Sequence, residues 1–178
     1  MKALIGIFFF STALLVDAQS IELDGARKAF HKAVMDEAES QSFHTYMLEI
    51  ENPTPVVAAY QAVSEAMLAR VLWNPFSKLA QVRKYQEEME NAVAEDPQDI
   101  EIRFLRLAIE FNLPAFLGMS EHVEEDVDMI LSNMASASAL DLDPSYGQYI
   151  FYFLESSDLC STDQIMAMRN SLAQSSAY

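Results

Sequence analysis

The stretch Asp99–Leu117, DIEIRFLRLAIEFNLPAFL, leaves the chain the fewest options for folding. At 100° per residue Arg103, Arg106 and Glu110 share one narrow wedge, while Ile102, Phe104, Leu105, Leu107, Ala108, Ile109 and Phe111 spread around most of the remaining circumference. A helix that apolar must be covered by neighbours on more than one side, so the pattern predicts the central helix of an all-α domain. Asp99 is placed to cap its start, Glu101 sits in the first turn where the helix dipole favours an anion, and Pro114 marks the exit.

The opening residues read as a targeting segment. Lys2 supplies a basic start, Ala3 to Val16 form an apolar run, and Val16-Asp17-Ala18 fits a signal-peptidase site. That run spans roughly 21 Å as a helix, short of the roughly 30 Å of a bilayer core, which favours secretion over anchoring. The expectation is a signal peptide over 1–18 and a single domain over 19–178, exported to the periplasm or outside the cell. Stable membrane insertion after cleavage is not expected. Cys160 is the sole cysteine, so an internal disulfide is excluded and packing must stabilise the fold.

Hydrophobic residues make up 51% of the chain and glycines number only four, a combination that favours helices joined by short turns over disorder or sheet. From Glu87 onward, eighteen acidic residues face only Arg103, Arg106 and Arg169. With a net charge of −16 the chain has the wrong field for phosphate, so nucleic acid is not an expected partner. Solubility accounts for the acidity.

Helical spacing predicts elements over most of the chain. Ile21 to about Ser40 buries Leu23, Ala26, Phe30, Ala33 and Val34, and a short second helix buries Phe43, Tyr46, Met47 and Ile50. Val56 to about Leu72 carries the small residues Ala58, Ala62, Ala66 and Ala69 on one side. After Trp73-Asn74-Pro75-Phe76, with Asn74 as cap, a helix to Glu95 presents Leu79, Val82, Tyr85, Met89, Ala92 and Val93 inward. Ser120 is expected to cap a helix to about Ala135, with an acidic face of Glu121, Glu124, Glu125 and Asp128. Tyr146–Leu154 has strand-like composition but lacks a partner strand to satisfy its backbone, so helix is expected. Ser161 and Gln164 form a capping-box pattern before a last helix.

Three breaks divide these helices into pairs: Glu51-Asn52-Pro53, Glu95-Asp96-Pro97 and Leu142-Asp143-Pro144, their prolines 44 and 47 residues apart. The pairs fall near 21–53, 55–97, 98–144 and 145–174, which suggests a short α-solenoid of stacked helix pairs. Ala92 with Pro97, and Ala139 with Pro144, resemble the end of a tetratricopeptide repeat in their spacing and preceding Asp. The usual period is 34 residues, and the first-helix pattern of a bulky residue, Leu-Gly and Tyr is missing from Ile100 onward, so the resemblance implies a tetratricopeptide-like arrangement. The run from Trp73-Asn74-Pro75-Phe76 through Glu101–Arg106 to Glu124-Glu125-Asp126 resembles a group of small, uncharacterised bacterial exported proteins, a likeness that implies no activity.

Catalytic chemistry finds little footing. His31, His44 and His122 have no second His or Cys at metal-ligand spacing, and a glycine-rich phosphate loop is missing, so neither metal nor cofactor is expected. The acidic face lacks the loop that wraps calcium. Cys160 precedes the capping Ser161, where a helix start could activate a thiol, yet it belongs to no nucleophile motif.

Arg103 and Arg106 are the more informative pair. Enclosed guanidiniums need carboxylates, from Glu110 or from neighbouring helices. Alternatively they line a groove made by the first helices of the pairs, with Tyr146, Tyr149 and Tyr152 as aromatic walls, and meet an anionic ligand or peptide. The expectation is a non-enzymatic exported module binding a protein or peptide partner through that concave face. The alternative is an enzyme or small-ligand carrier with a polar site around Arg103, Arg106 and His122.

Overall fold

A computed structural model describes residues 8–134 and 144–175 of the chain. Residues 1–7 of the expected signal peptide, the Ala135–Ala139 segment and the Leu142-Asp143 break lie outside the described residues. What is described is all-helical: α1 (Phe8–Met35), α2 (Ser40–Leu48), α3 (Pro55–Val71), α4 (Pro75–Glu95), α5 (Ile100–Asn112), α6 (Val123–Met134), α7 (Pro144–Ser156) and α8 (Thr162–Ser175). Short 3-10 turns sit at Glu37–Glu39 and Ala115–Leu117. Among the described residues no strand forms, and no helix is long and apolar enough to cross a membrane. Tyr146–Leu154 is helical within α7, as backbone satisfaction requires.

Helix ends follow the capping chemistry in most places. Asp99 accepts from the Ile102 amide at 2.9 Å, and Asn74 accepts from the Phe76 amide at 2.9 Å. Ser161 and Gln164 exchange both capping-box bonds, at 2.8 and 3.3 Å. Asn52, in the first Pro-containing break, has φ 54°, a left-handed conformation that asparagine tolerates better than most residues.

Three boundaries differ from the sequence expectation. The first helix starts at Phe8 and not at Ile21, so the described part of the expected signal peptide continues into α1. The first helix stops at Met35 instead of near Ser40, because Asp36 turns extended and accepts from the Ala38 amide, starting a separate turn. Ser120 does not cap α6: its hydroxyl donates to the Glu110 carbonyl at 2.7 Å, and the helix begins three residues later.

The chain separates into two compact units, residues 1–92 and 93–178. In the first, α3 packs on both α1 and α2. Phe30 is the hub, its ring 6.1 Å from that of Phe43 and 5.6 Å from that of Tyr60, with Met47, Val57 and Val63 fully enclosed in the same unit. Each such side chain contributes about 1.5–3 kcal/mol by leaving water.

In the second unit α5 packs on α6, and α8 packs on both α7 and α6. Ile102, Phe104, Leu105 and Leu107 are inaccessible to solvent, as a helix apolar around most of its girth demands. Phe104 meets Tyr146, Tyr149 and Phe153 edge-on at 5.9, 5.6 and 5.3 Å, and Ile130, Ile150 and Leu154 complete the core around it.

Candidate functional site

The polar wedge of α5 is the most concentrated set of charged groups in the second unit. Arg103, Arg106 and Glu110 recur at helical spacing on one side of α5 and are each no more than 5% exposed. Opposite them α6 brings Asp126, fully buried, and Glu125, whose side chain is about half exposed.

Arg106 holds Asp126 with two parallel bonds, Nε to Oδ2 at 2.7 Å and Nη2 to Oδ1 at 2.6 Å. Arg103 donates from Nη1 to Glu125 at 2.5 Å and to Asp126 Oδ1 at 3.0 Å, and from Nε to the Pro97 carbonyl at 2.9 Å. Two guanidiniums thus share two carboxylates, a planar arrangement that suits arginine better than lysine. Burial works to lower the Arg106 pKa, but the Asp126 hydrogen bond and the charges of Asp126, Glu125 and Glu110 outweigh it and hold the value above normal. The hydrogen bond from Arg103 pulls the Glu125 carboxyl below its usual range against a smaller effect of burial.

Glu110 serves the start of α6. One of its oxygens accepts the His122 amide at 2.9 Å and the other lies 2.8 Å from His122 Nδ1. A carboxylate there complements the helix dipole, so the third wedge residue fixes the α6 N-terminus.

Arg103 and Arg106 are therefore joined through Glu125 and Asp126, while His122 pairs with Glu110, the third residue of the same wedge. The tyrosines belong elsewhere. Tyr146 and Tyr149 lie against Phe104, which on a regular helix is about 100° from Arg103 and about 160° from Arg106. Tyr152 points outward, 62% exposed. The guanidiniums and the three tyrosines do not face a common groove within this unit: the former meet α6 and the latter belong to α7.

Asp126 is the residue that sequence reasoning passed over. It sits three residues after Val123 and four before Ile130, on the apolar stripe of α6, so an acid among core positions signalled a buried cationic partner. Cys160 shows no sign of activation, since burial, and secondarily the charge of Asp128, push its thiol pKa up. Among the described residues no group of three His, Cys, Asp or Glu is placed to hold a metal ion.

The first unit has a smaller polar cluster. Glu65, 2% exposed, accepts from Lys84 Nζ at 2.5 Å, and His44 Nε2 lies 3.0 Å from the same oxygen without hydrogen-bond alignment. A cleft of about 320 Å³ opens between α1 and α2, lined by Gly25, Lys28, Lys32, Phe43 and Tyr46 among others.

No family model, curated protein or solved structure matches the chain.

Proposed function

We infer that the chain is a non-enzymatic, exported binding module with tetratricopeptide-like helix pairs, and that it holds a protein or peptide partner. The observation that carries this reading is the closed pairing of Arg106 with Asp126, which ties the most enclosed guanidinium into the fold instead of leaving it for chemistry. The packing of α3 against both helices of the preceding pair supports a repeat-like stacking in the first unit. Export is supported by the apolar N-terminal run. Among the side chains described, Ala26, Phe30 and Ala33 are buried and lie beyond Ala18, so cleavage there keeps their core contribution.

Partner contact falls to the outer face of α7. Tyr146, Tyr149 and Tyr152 recur every three residues and grade from buried through half-buried to 62% exposed. Such a stripe has its base fixed in the core and offers an amphipathic aromatic tip at little entropic cost. The competing polar site at Arg103, Arg106 and His122 would require Asp126 to release two guanidiniums that it holds while fully buried.

The test is in-cell crosslinking followed by purification of the protein from the cell envelope, comparing wild type with Tyr149→Ala/Tyr152→Ala. Loss of a defined partner, with thermal unfolding retained, supports the reading, and equal recovery refutes the α7 face. Mass spectrometry of the same material should find a chain beginning at Gln19, and recovery of an intact Met1 terminus from the cytoplasm would refute export.

A further inference from the structure

The turn between α3 and α4 carries the most exposed large apolar side chains among the described residues of the first unit. Trp73 is 98% exposed and Phe76 83%, on either side of Asn74-Pro75. Single exposed hydrophobics need no explanation, but two bare aromatics at one tip do.

The tip is held in shape. Asn74 accepts the Phe76 amide on its side chain and the Lys78 amide on its carbonyl at 3.0 Å, and Lys78 Nζ donates to the Arg70 carbonyl at 3.2 Å. The aromatics are thus presented by an ordered turn that needs no folding upon contact.

Charge identifies what the tip meets. Residues 66–86 contain Arg70, Lys78, Arg83 and Lys84 and not one acid, in a chain whose net charge is −16. Lys84 turns inward to Glu65, and Arg70 lies 3.7 Å from Glu37 at an exposed position. Lys78 and Arg83 are exposed, with Arg83 two helical turns beyond Phe76 on the same face of α4. Tryptophan and phenylalanine flanked by lysine and arginine suit the boundary between acyl chains and anionic headgroups. At physiological salt the acidic excess elsewhere is screened beyond roughly 8 Å, so the local bases dominate at contact.

We propose that the α3–α4 turn is an interfacial anchor that seats the chain on an anionic lipid bilayer. Trp73 and Phe76 enter the headgroup region, and Arg70, Lys78 and Arg83 meet lipid phosphates. A convex aromatic tip needs a soft medium and no preformed pocket, which separates this occupant from a grooved protein partner. The anchor is independent of the partner-binding reading of α7.

Trp73 is the chain's single tryptophan, so its fluorescence reports on the tip alone. The full chain is titrated with phosphatidylcholine vesicles containing phosphatidylglycerol, with phosphatidylcholine alone, and with inorganic phosphate. The expected result is a blue shift, and quenching by brominated acyl chains, with the anionic vesicles only. Trp73→Ala/Phe76→Ala, followed by vesicle sedimentation, and Lys78→Glu/Arg83→Glu each lower binding about tenfold or more, with helical content unchanged by circular dichroism.

Unchanged emission with anionic vesicles overturns the proposal. So does equal response to neutral vesicles that Lys78→Glu/Arg83→Glu leaves intact, or a response to inorganic phosphate alone. A concentration-dependent blue shift without lipid, accompanied by a dimer in sedimentation, assigns the tip to a second copy and also overturns it.

Discussion

Arg106 and Asp126 are joined by two hydrogen bonds of 2.7 and 2.6 Å between α5 and α6, with Asp126 wholly shielded from water. Removing one partner of such a pair leaves the other charge buried and uncompensated. Asp126→Ala should therefore destabilise the second unit by about 3–5 kcal/mol, read as a shift of the urea midpoint. Replacing all three members together, Arg103→Met/Arg106→Met/Asp126→Leu, should come out near neutral, because apolar packing carries no desolvation cost. A triple variant as unstable as the single one would show that the pair orients α6 in a way that bulk packing cannot replace.

The acid limb of the stability curve should report the same cluster. Glu125 has its pKa held below the ordinary 4.5, chiefly by the Arg103 hydrogen bond. A depressed folded-state value means that its stabilisation is complete above the unfolded pKa and fades as pH falls through the folded one. Asp99 runs the other way: burial raises its pKa, so protonating it on acidification favours the folded state. Glu125→Gln should flatten the loss of stability below about pH 4.5, whereas Asp99→Asn should steepen it, as followed by chemical denaturation at stepped pH.

How far the sequence carries depends on whether periodicity alone decides the question. It does for α5, where Ile102, Phe104, Leu105 and Leu107 surround the helix and are all enclosed, and for the Asp99 and Ser161 caps, whose bonds are local. The pairing of Arg103 and Arg106 with carboxylates also follows from the cost of burying a bare charge. Which carboxylate cannot be read from α5 itself: Asp126 is some twenty residues away, and its place on the apolar stripe of α6 is what sets it apart from the neighbouring Glu124 and Glu125. Ser120 misleads for a related reason. Its hydroxyl satisfies a carbonyl at the end of α5, a tertiary contact that outweighs a local capping preference. The tyrosines of α7 share a spacing but not a degree of burial, because exposure depends on what packs against each turn.

Gly25 and Tyr46 form a close contact between α1 and α2, since a Cβ at Gly25 would collide with the Tyr46 hydroxyl. Gly25→Ala should cost about 1–3 kcal/mol through overpacking, despite the better helix propensity of alanine. Combining it with Tyr46→Phe removes the clashing oxygen, so the double variant should recover much of that loss. A double-mutant cycle in urea measures the coupling. Additive effects would mean that the ring shifts aside at little cost.

The first unit should have its own alkaline limb. Lys84 has its pKa raised above the ordinary 10.5, mainly through its hydrogen bond to Glu65, with burial opposing. For a base with a raised folded-state value, the stabilisation is complete below the unfolded pKa and is lost as pH climbs through the folded one. Wild type should therefore weaken above about pH 10.5, and Lys84→Met should lack that component of the slope. At neutral pH the same substitution should cost about 1.5–3 kcal/mol, the worth of a hydrogen bond to a charged group, because Glu65 stays buried and loses the lysine that donates to it. Lys84→Met/Glu65→Leu removes the stranded carboxylate as well and should recover most of the loss. If the double variant is no better than the single one, the penalty comes from the aliphatic stem of Lys84 against α3 and not from the charge of Glu65.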